Sequence, residues 1–207
     1  MDALLLAKKL HLHALWVRSL ETDGVRLNIS GEDLRNAQMP NTSLVGAKLD
    51  GVDFRHANLT GANFTGADLG GADLRSAKLE GANFSAANLK GARLRGAVLS
   101  KANLAYADLE SSDLRNTHLD GANLTDAKMM GAKLQHVDMS HAKLRAADLF
   151  GADLRGAILR GADLGCTILL GAQLHDVVLD ENTNLDNAKM DSDFLSHSGH
   201  TPAKSKH

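Results

Sequence analysis

Cysteine is nearly absent from this 207-residue chain. Cys166 stands alone, so no internal disulfide can form, and a free thiol fits a reducing cytoplasm. Aromatic side chains make up 3% of the residues, too few for the stacking platforms on which nucleic acids are held. Charge of one sign is lacking as well: the formal net charge is −2, and nothing in that balance calls for nucleic acid or an anionic membrane. No apolar run approaches the roughly 20 residues of a membrane span. Met1 to Lys9 has too short an apolar stretch, and the wrong charge order, for a signal peptide. These absences predict a cytoplasmic protein with neither a membrane nor nucleic acid as a direct partner.

What the chain does have is a period. From Ile29 to Leu179 a large apolar residue falls at every fifth position without a slip, giving 31 consecutive units. Two residues before each lies a smaller register, with Ala in 22 of the 31 places. The unit reads A-[D/N]-L-x-G, as in Ala62-Asn63-Phe64-Thr65-Gly66 and Ala152-Asp153-Leu154-Arg155-Gly156. A period of five fits neither the 3.6 of a helix nor the 2 of a strand, so a repeat architecture is indicated. Within a unit the Ala and the Leu are two apart, on one side of an extended segment, and Gly supplies the freedom to turn a corner.

This pattern resembles the pentapeptide repeat family over about three quarters of the chain. The resemblance implies an all-β solenoid, a right-handed quadrilateral β-helix with four pentapeptides per coil, here of about eight coils. Three parts follow: an N-terminal helical cap over 1–24, the coil over 25–190 and a flexible tail over 191–207. Residues 3–20 carry apolar side chains at three- and four-residue steps, and Leu12, Trp16 and Leu20 are expected to cover the open end of the stack, Trp16 as the largest plug. After Leu179 the frame slips by one, so that Thr183 with Leu185, and Ala188 with Met190, finish the last coil.

Because four sides make a coil, residues twenty apart share a face. One face carries an arginine ladder, Arg35, Arg55, Arg75, Arg95, Arg115 and Arg155, after Asp33, Asp53, Asp73, Asp113 and Asp153. Unrelieved, like charges about 5 Å apart repel by roughly 1 to 3 kcal/mol per pair. The ladder is thus either an interleaved Asp/Arg network or a stripe for a phosphate or an acid, and cancellation fails at Arg93, Arg95 and Lys133. Another face stacks Asn63, Asn83, Asn103 and Asn123, whose amides can bond up the ladder. On a further face, Met130, Phe150 and Leu170 follow one another outward, with Ile168 beside them. Three exposed apolar residues in register form a patch for a partner, for a second copy as a dimer seam, or for the chain's own C-terminal tail.

No catalytic constellation is visible. The recurrent Gly is turn chemistry, no G-x-x-x-x-G-K-[ST] occurs, and the histidines are scattered without metal-ligand spacing. The expectation is no enzyme, no cofactor and no metal. In the family's best-understood group, the resemblance implies a rod that mimics DNA, binds DNA gyrase or topoisomerase IV and protects them from topoisomerase poisons. Asp50, Asp68, Asp108, Glu110 and Asp148 would form the acidic contact face here. The alternative is a structural or adaptor scaffold that presents its arginine ladder or its apolar patch to another protein.

Overall fold

The structure, a computed structural model, describes residues 2–20 and 22–192. The expected tail lies, from 193 onward, outside the described residues. Through the coil, residues twenty apart are bridged in parallel, from Asn28 with Lys48 to Ile158 with Val178. Twenty residues therefore make one turn, and each turn has four five-residue sides.

Each side is short because each corner is built from the unit itself. In Leu44-Val45-Gly46-Ala47 the Ala47 N–H donates to the Leu44 carbonyl at 3.1 Å, and Gly46 has φ +64. A four-residue turn with a left-handed third residue favours Gly there. The same conformation is nonetheless held at Tyr106, Ala146 and Cys166, with φ between 57 and 61. Along each side the coil bonds to its neighbour twice: Leu49 N–H donates to Asp68 O at 2.7 Å, and Asp68 N–H donates to Ala47 O at 2.9 Å.

The preference for Asp or Asn before each central Leu has a local cause. Its Oδ1 accepts the N–H of the residue two places on: Asn63 from Thr65 at 3.0 Å, Asp108 from Glu110 at 3.0 Å and Asp138 from Ser140 at 3.0 Å. This is an Asx turn, and it satisfies a corner donor beside the inter-coil ladder.

Both inward registers are buried nearly everywhere, so the interior is a column of Leu and Ala with Phe54, Phe64 and Phe84 inserted. Phe64 and Phe84, one coil apart, stack at 4.6 Å between centroids. Burial of these apolar groups is the main stabilising term. Where a hydroxyl replaces Ala it finds a carbonyl: Ser112 bonds Leu109 O at 2.7 Å and Thr167 bonds Leu144 O at 2.8 Å.

Helix α1, Ala3–Arg18, covers the first coil, and its N-cap Asp2 accepts the Leu5 N–H at 2.8 Å. The covering face differs from the expected one. Leu6 and Leu10 pack against the core and His13 is fully buried, while Leu5, Leu15 and Leu20 are exposed. Leu20 is 85% exposed because the helix has ended before it, and its φ is 54. Trp16 and Leu12 are only half-buried. Trp16 lies on the Gly46 corner, stacked on His13 with centroids 5.5 Å apart and beneath the Arg26 guanidinium. Leucines occur on every side of this helix, so periodicity alone does not choose its buried face. At its far end Val25 N–H donates to Leu12 O at 3.2 Å. Gly24 makes that approach feasible, since a Cβ there would stand 2.4 Å from the Leu12 carbonyl oxygen.

The expected slip near the C-terminus is present. Asp163 bridges Asn184 and Ile168 bridges Lys189, twenty-one residues apart. The Asp180 carboxylate takes the Gly161 N–H at 2.8 Å, in the place of a backbone carbonyl of the regular ladder.

Candidate interaction faces

On the first face the arginines are anchored by the aspartates two residues before them. Arg35, Arg55, Arg75, Arg115 and Arg155 each hold their Asp through Nε and Nη2, with the Nη2 contact at 2.5 to 2.7 Å. Arg35 and Arg55 also reach the next coil's carboxylate, Asp53 at 3.7 Å and Asp73 at 3.8 Å. The Arg35 bonds hold the Asp33 carboxyl at a pKa of about 2. The Asp113 carboxyl is lowered in the same way, chiefly by Arg115. For Asp73 burial is the largest influence and pushes the pKa up, but the Arg75 bonds and neighbouring guanidinium groups outweigh it. The Asp/Arg network is thus the arrangement over five of the six ladder arginines. Arg95 is the exception: Arg93 occupies the aspartate's place, and Arg93 reaches back to Asp73 at 3.7 Å.

On the third face, counting the sides in chain order from that of Asp33, the asparagine ladder forms in part, with Asn103 donating to Asn83 at 3.2 Å and Asn123 to Asn103 at 3.1 Å.

The fourth face carries both the candidate acids and the apolar patch. Its bridged column runs Lys48, Asp68, Asn88, Asp108, Lys128, Asp148 and Ile168. Its next column runs Asp50, Gly70, Lys90, Glu110, Met130, Phe150 and Leu170, tied coil to coil by bonds such as Gly131 N–H to Phe150 O and Gly151 N–H to Leu170 O, both at 3.0 Å. All five candidate acids therefore share a face with the apolar patch, but they form no continuous run. Lys48, Asn88, Lys128 and Ile168 alternate with them, Glu110 is ion-paired with Lys90, and Asp50 accepts from Ser30. Asp68, Asp108 and Asp148 also serve as Asx acceptors, for Gly70, Glu110 and Phe150. The apolar residues are contiguous, with Met130 38%, Phe150 51% and Leu170 37% exposed. This face grades from polar at the helix end to apolar at the far end.

Sequence reasoning missed the Asx role, although the [D/N] of the unit was its signal, and it missed His13, whose burial had none. Among the described residues no group of His, Cys, Asp and Glu could hold a metal ion, and no helix is long and apolar enough to cross a membrane. Cys166 is exposed on a corner.

The family description "Pentapeptide repeats (8 copies)" matches residues 27–55, 37–75, 77–116, 107–145 and 142–180. The chain belongs to the pentapeptide repeat family. Pentapeptide repeat proteins also stand among the solved structures it is similar to. HetL, involved in heterocyst differentiation regulation in the cyanobacterium Nostoc sp. strain PCC 7120, is 31% identical over 79% of this chain and 89% of its own, with a TM-score of 0.51. A trypsin-treated form of QnrB1, a plasmid-mediated fluoroquinolone resistance protein, is 20% identical over 86% of this chain and 98% of its own, with a TM-score of 0.44. No curated protein matches the chain in sequence. The pentapeptide repeat fold is a right-handed β-helix solenoid, and this chain adds a short helix at its N-terminal end.

Proposed function

We propose that this pentapeptide repeat protein is a non-enzymatic protein-binding rod of about eight quadrilateral coils, acting in the cytoplasm through its fourth face. The observation that carries this reading is the Met130, Phe150 and Leu170 column, three large apolar side chains left exposed on successive coils. Contiguous apolar surface rimmed by charge marks a protein contact. Asp148, Lys128 and Glu110 supply such a rim.

DNA gyrase or topoisomerase IV is the specific partner to test first, because the family resemblance implies it and all five acids lie on this face. The interruption of those acids by lysine and asparagine favours contact through the apolar column over mimicry of a uniformly charged duplex. The second reading, a structural or adaptor scaffold for another partner, rests on the same column.

The test is a gyrase supercoiling assay with and without a topoisomerase poison, titrating the protein, a Phe150→Asp variant and an Asp68→Asn/Asp108→Asn/Asp148→Asn variant. Asparagine keeps the Asx acceptor and removes the charge, so the coil is preserved. Rescue by the parent that is lost in Phe150→Asp supports topoisomerase protection through the apolar column. Rescue lost only in the triple asparagine variant supports the acidic contact instead. No rescue against several poisons eliminates the topoisomerase partner in favour of the scaffold.

A further inference from the structure

Arg95 is the ladder arginine without a carboxylate. Its side chain makes no ion pair or hydrogen bond among the described residues, whereas each of its five counterparts holds an aspartate. Around it, Asp53, Asp73 and Asp113 face Arg55, Arg75, Arg93, Arg95 and Arg115, an excess of two positive charges on one stretch of the first face. Asp73 already contacts three of those arginines: Arg75 at 2.7 Å, Arg93 at 3.7 Å and Arg55 at 3.8 Å.

The same stretch forms a shallow groove of about 350 Å³, lined by Arg55, His56, Arg75, Ser76, Arg95 and Asn116. Among the described residues no carboxylate lines it. Its floor at Gly96 is open, for a Cβ there would meet only the Ser76 hydroxyl oxygen, at 3.8 Å. Arg55 and Arg75 spend Nε and Nη2 on their aspartates, which leaves each Nη1 for another oxygen. Arg95 has its whole fork available. Guanidinium groups on successive coils, about 4.8 Å apart, suit the several oxygens of one oxyanion, and a planar fork binds such oxygens in pairs.

We propose that this groove binds a phosphoryl group, free or as a monoester, with Arg95 as its principal ligand, Arg75 and Arg55 contributing their free Nη1 groups and Ser76 a hydroxyl. Arg93 creates the site by withholding the aspartate that would otherwise quench Arg95.

Isothermal titration at constant ionic strength, with inorganic phosphate and with O-phosphoserine, tests this. The parent protein should bind at least one of them saturably, and the tighter of the two tells whether the phosphate arrives free or esterified. Arg93→Asp, which restores the pattern of the other five pairs, and Arg95→Gln should each weaken binding by about tenfold or more. Arg160→Gln, on another face, should leave it unchanged. The proposal is overturned if neither ligand gives saturable binding, or if Arg93→Asp, confirmed folded by its thermal transition, binds as the parent does.

Discussion

The Leu27 N–H donates to Nδ1 of His13 at 3.1 Å inside the seam between α1 and the first coil, and the His13 Nε2 is buried without a hydrogen-bond partner among the described residues. This places the proton of a neutral ring on Nε2. A second proton would have to enter Nδ1, where a backbone donor already points. Burial foremost, then the Arg26 charge, lowers the His13 pKa below the ordinary 6.5, against an opposing pull from the Val45 backbone.

The pH dependence of the cap follows. An unfolded chain takes up this proton more readily than the folded one, so the stability due to neutral His13 is complete above about pH 6.5 and is lost as the pH falls toward the lowered value. Trp16, the one tryptophan, stacks on His13 and reports the change. Its fluorescence should shift as the pH is taken below about 6.5, and the shift should vanish in His13→Leu. A flat profile in the parent protein would refute the linkage.

The five paired aspartates of the first face titrate in the opposite sense. Asp33, Asp53, Asp73, Asp113 and Asp153 have folded pKa values below the ordinary carboxylate value. Their contribution is complete above about pH 4 and disappears only as the pH falls through those lower values. Carboxyl NMR titration should place Asp113 below the ordinary carboxylate value, and Arg115→Gln should bring it back up.

Inside the coil, Ala107 and Leu109 are both 0% exposed. Leu109→Ala should cost about 2 to 5 kcal/mol by opening a cavity. Ala107→Leu should cost roughly 1 to 3 kcal/mol by overpacking. Urea denaturation measures both, and silence in both would mean that the inward registers are wrongly assigned.

Gly24→Ala combines a clash against the Leu12 carbonyl with a left-handed φ of +82. The backbone term alone amounts to about 1 to 2 kcal/mol. Limited proteolysis should cut first between α1 and the coil in this variant, whereas Gly51→Ala, where a Cβ meets nothing within 4 Å, should show the strain without the release of the helix.

Phe150→Ser should leave the unfolding free energy within about 0.5 kcal/mol of the parent, as for an exposed position off the core. Any self-association through the fourth face should fall with it. Sedimentation velocity at two concentrations separates the two effects, and an unchanged dimer in the variant would move the seam elsewhere.

The coil was legible because its period, its small and large inward registers and its corner glycines are three signatures of one geometry. Even the slip after Leu179 could be read, since Thr183 and Leu185 keep the two-residue spacing while leaving the frame. The arginine face was legible as a composition, and the pairing of each Arg with its own Asp follows from their being two apart around one corner. The cap was not. Leu4, Leu5, Leu6, Leu10, Leu12 and Leu15 allow several buried faces, and the chosen one depends on a histidine acceptor meeting a distant backbone donor. That the acids and the apolar patch share a face was also within the sequence's reach, since Glu110, Met130, Phe150 and Leu170 stand twenty apart, but it emerges only when the fourth-face columns are laid side by side.

Because, up to the slip after Leu179, neighbours in space are twenty residues apart in sequence, the surfaces of this rod are written in the gene as a comb with twenty-codon teeth. Duplicating or deleting twenty codons would lengthen or shorten the rod while leaving arginine above arginine and Phe150 in line with Leu170. A change of five codons would preserve the core equally well, yet rotate everything beyond it by one side. Such a rod can therefore acquire a new surface at constant stability, through a change in length that no single substitution could imitate.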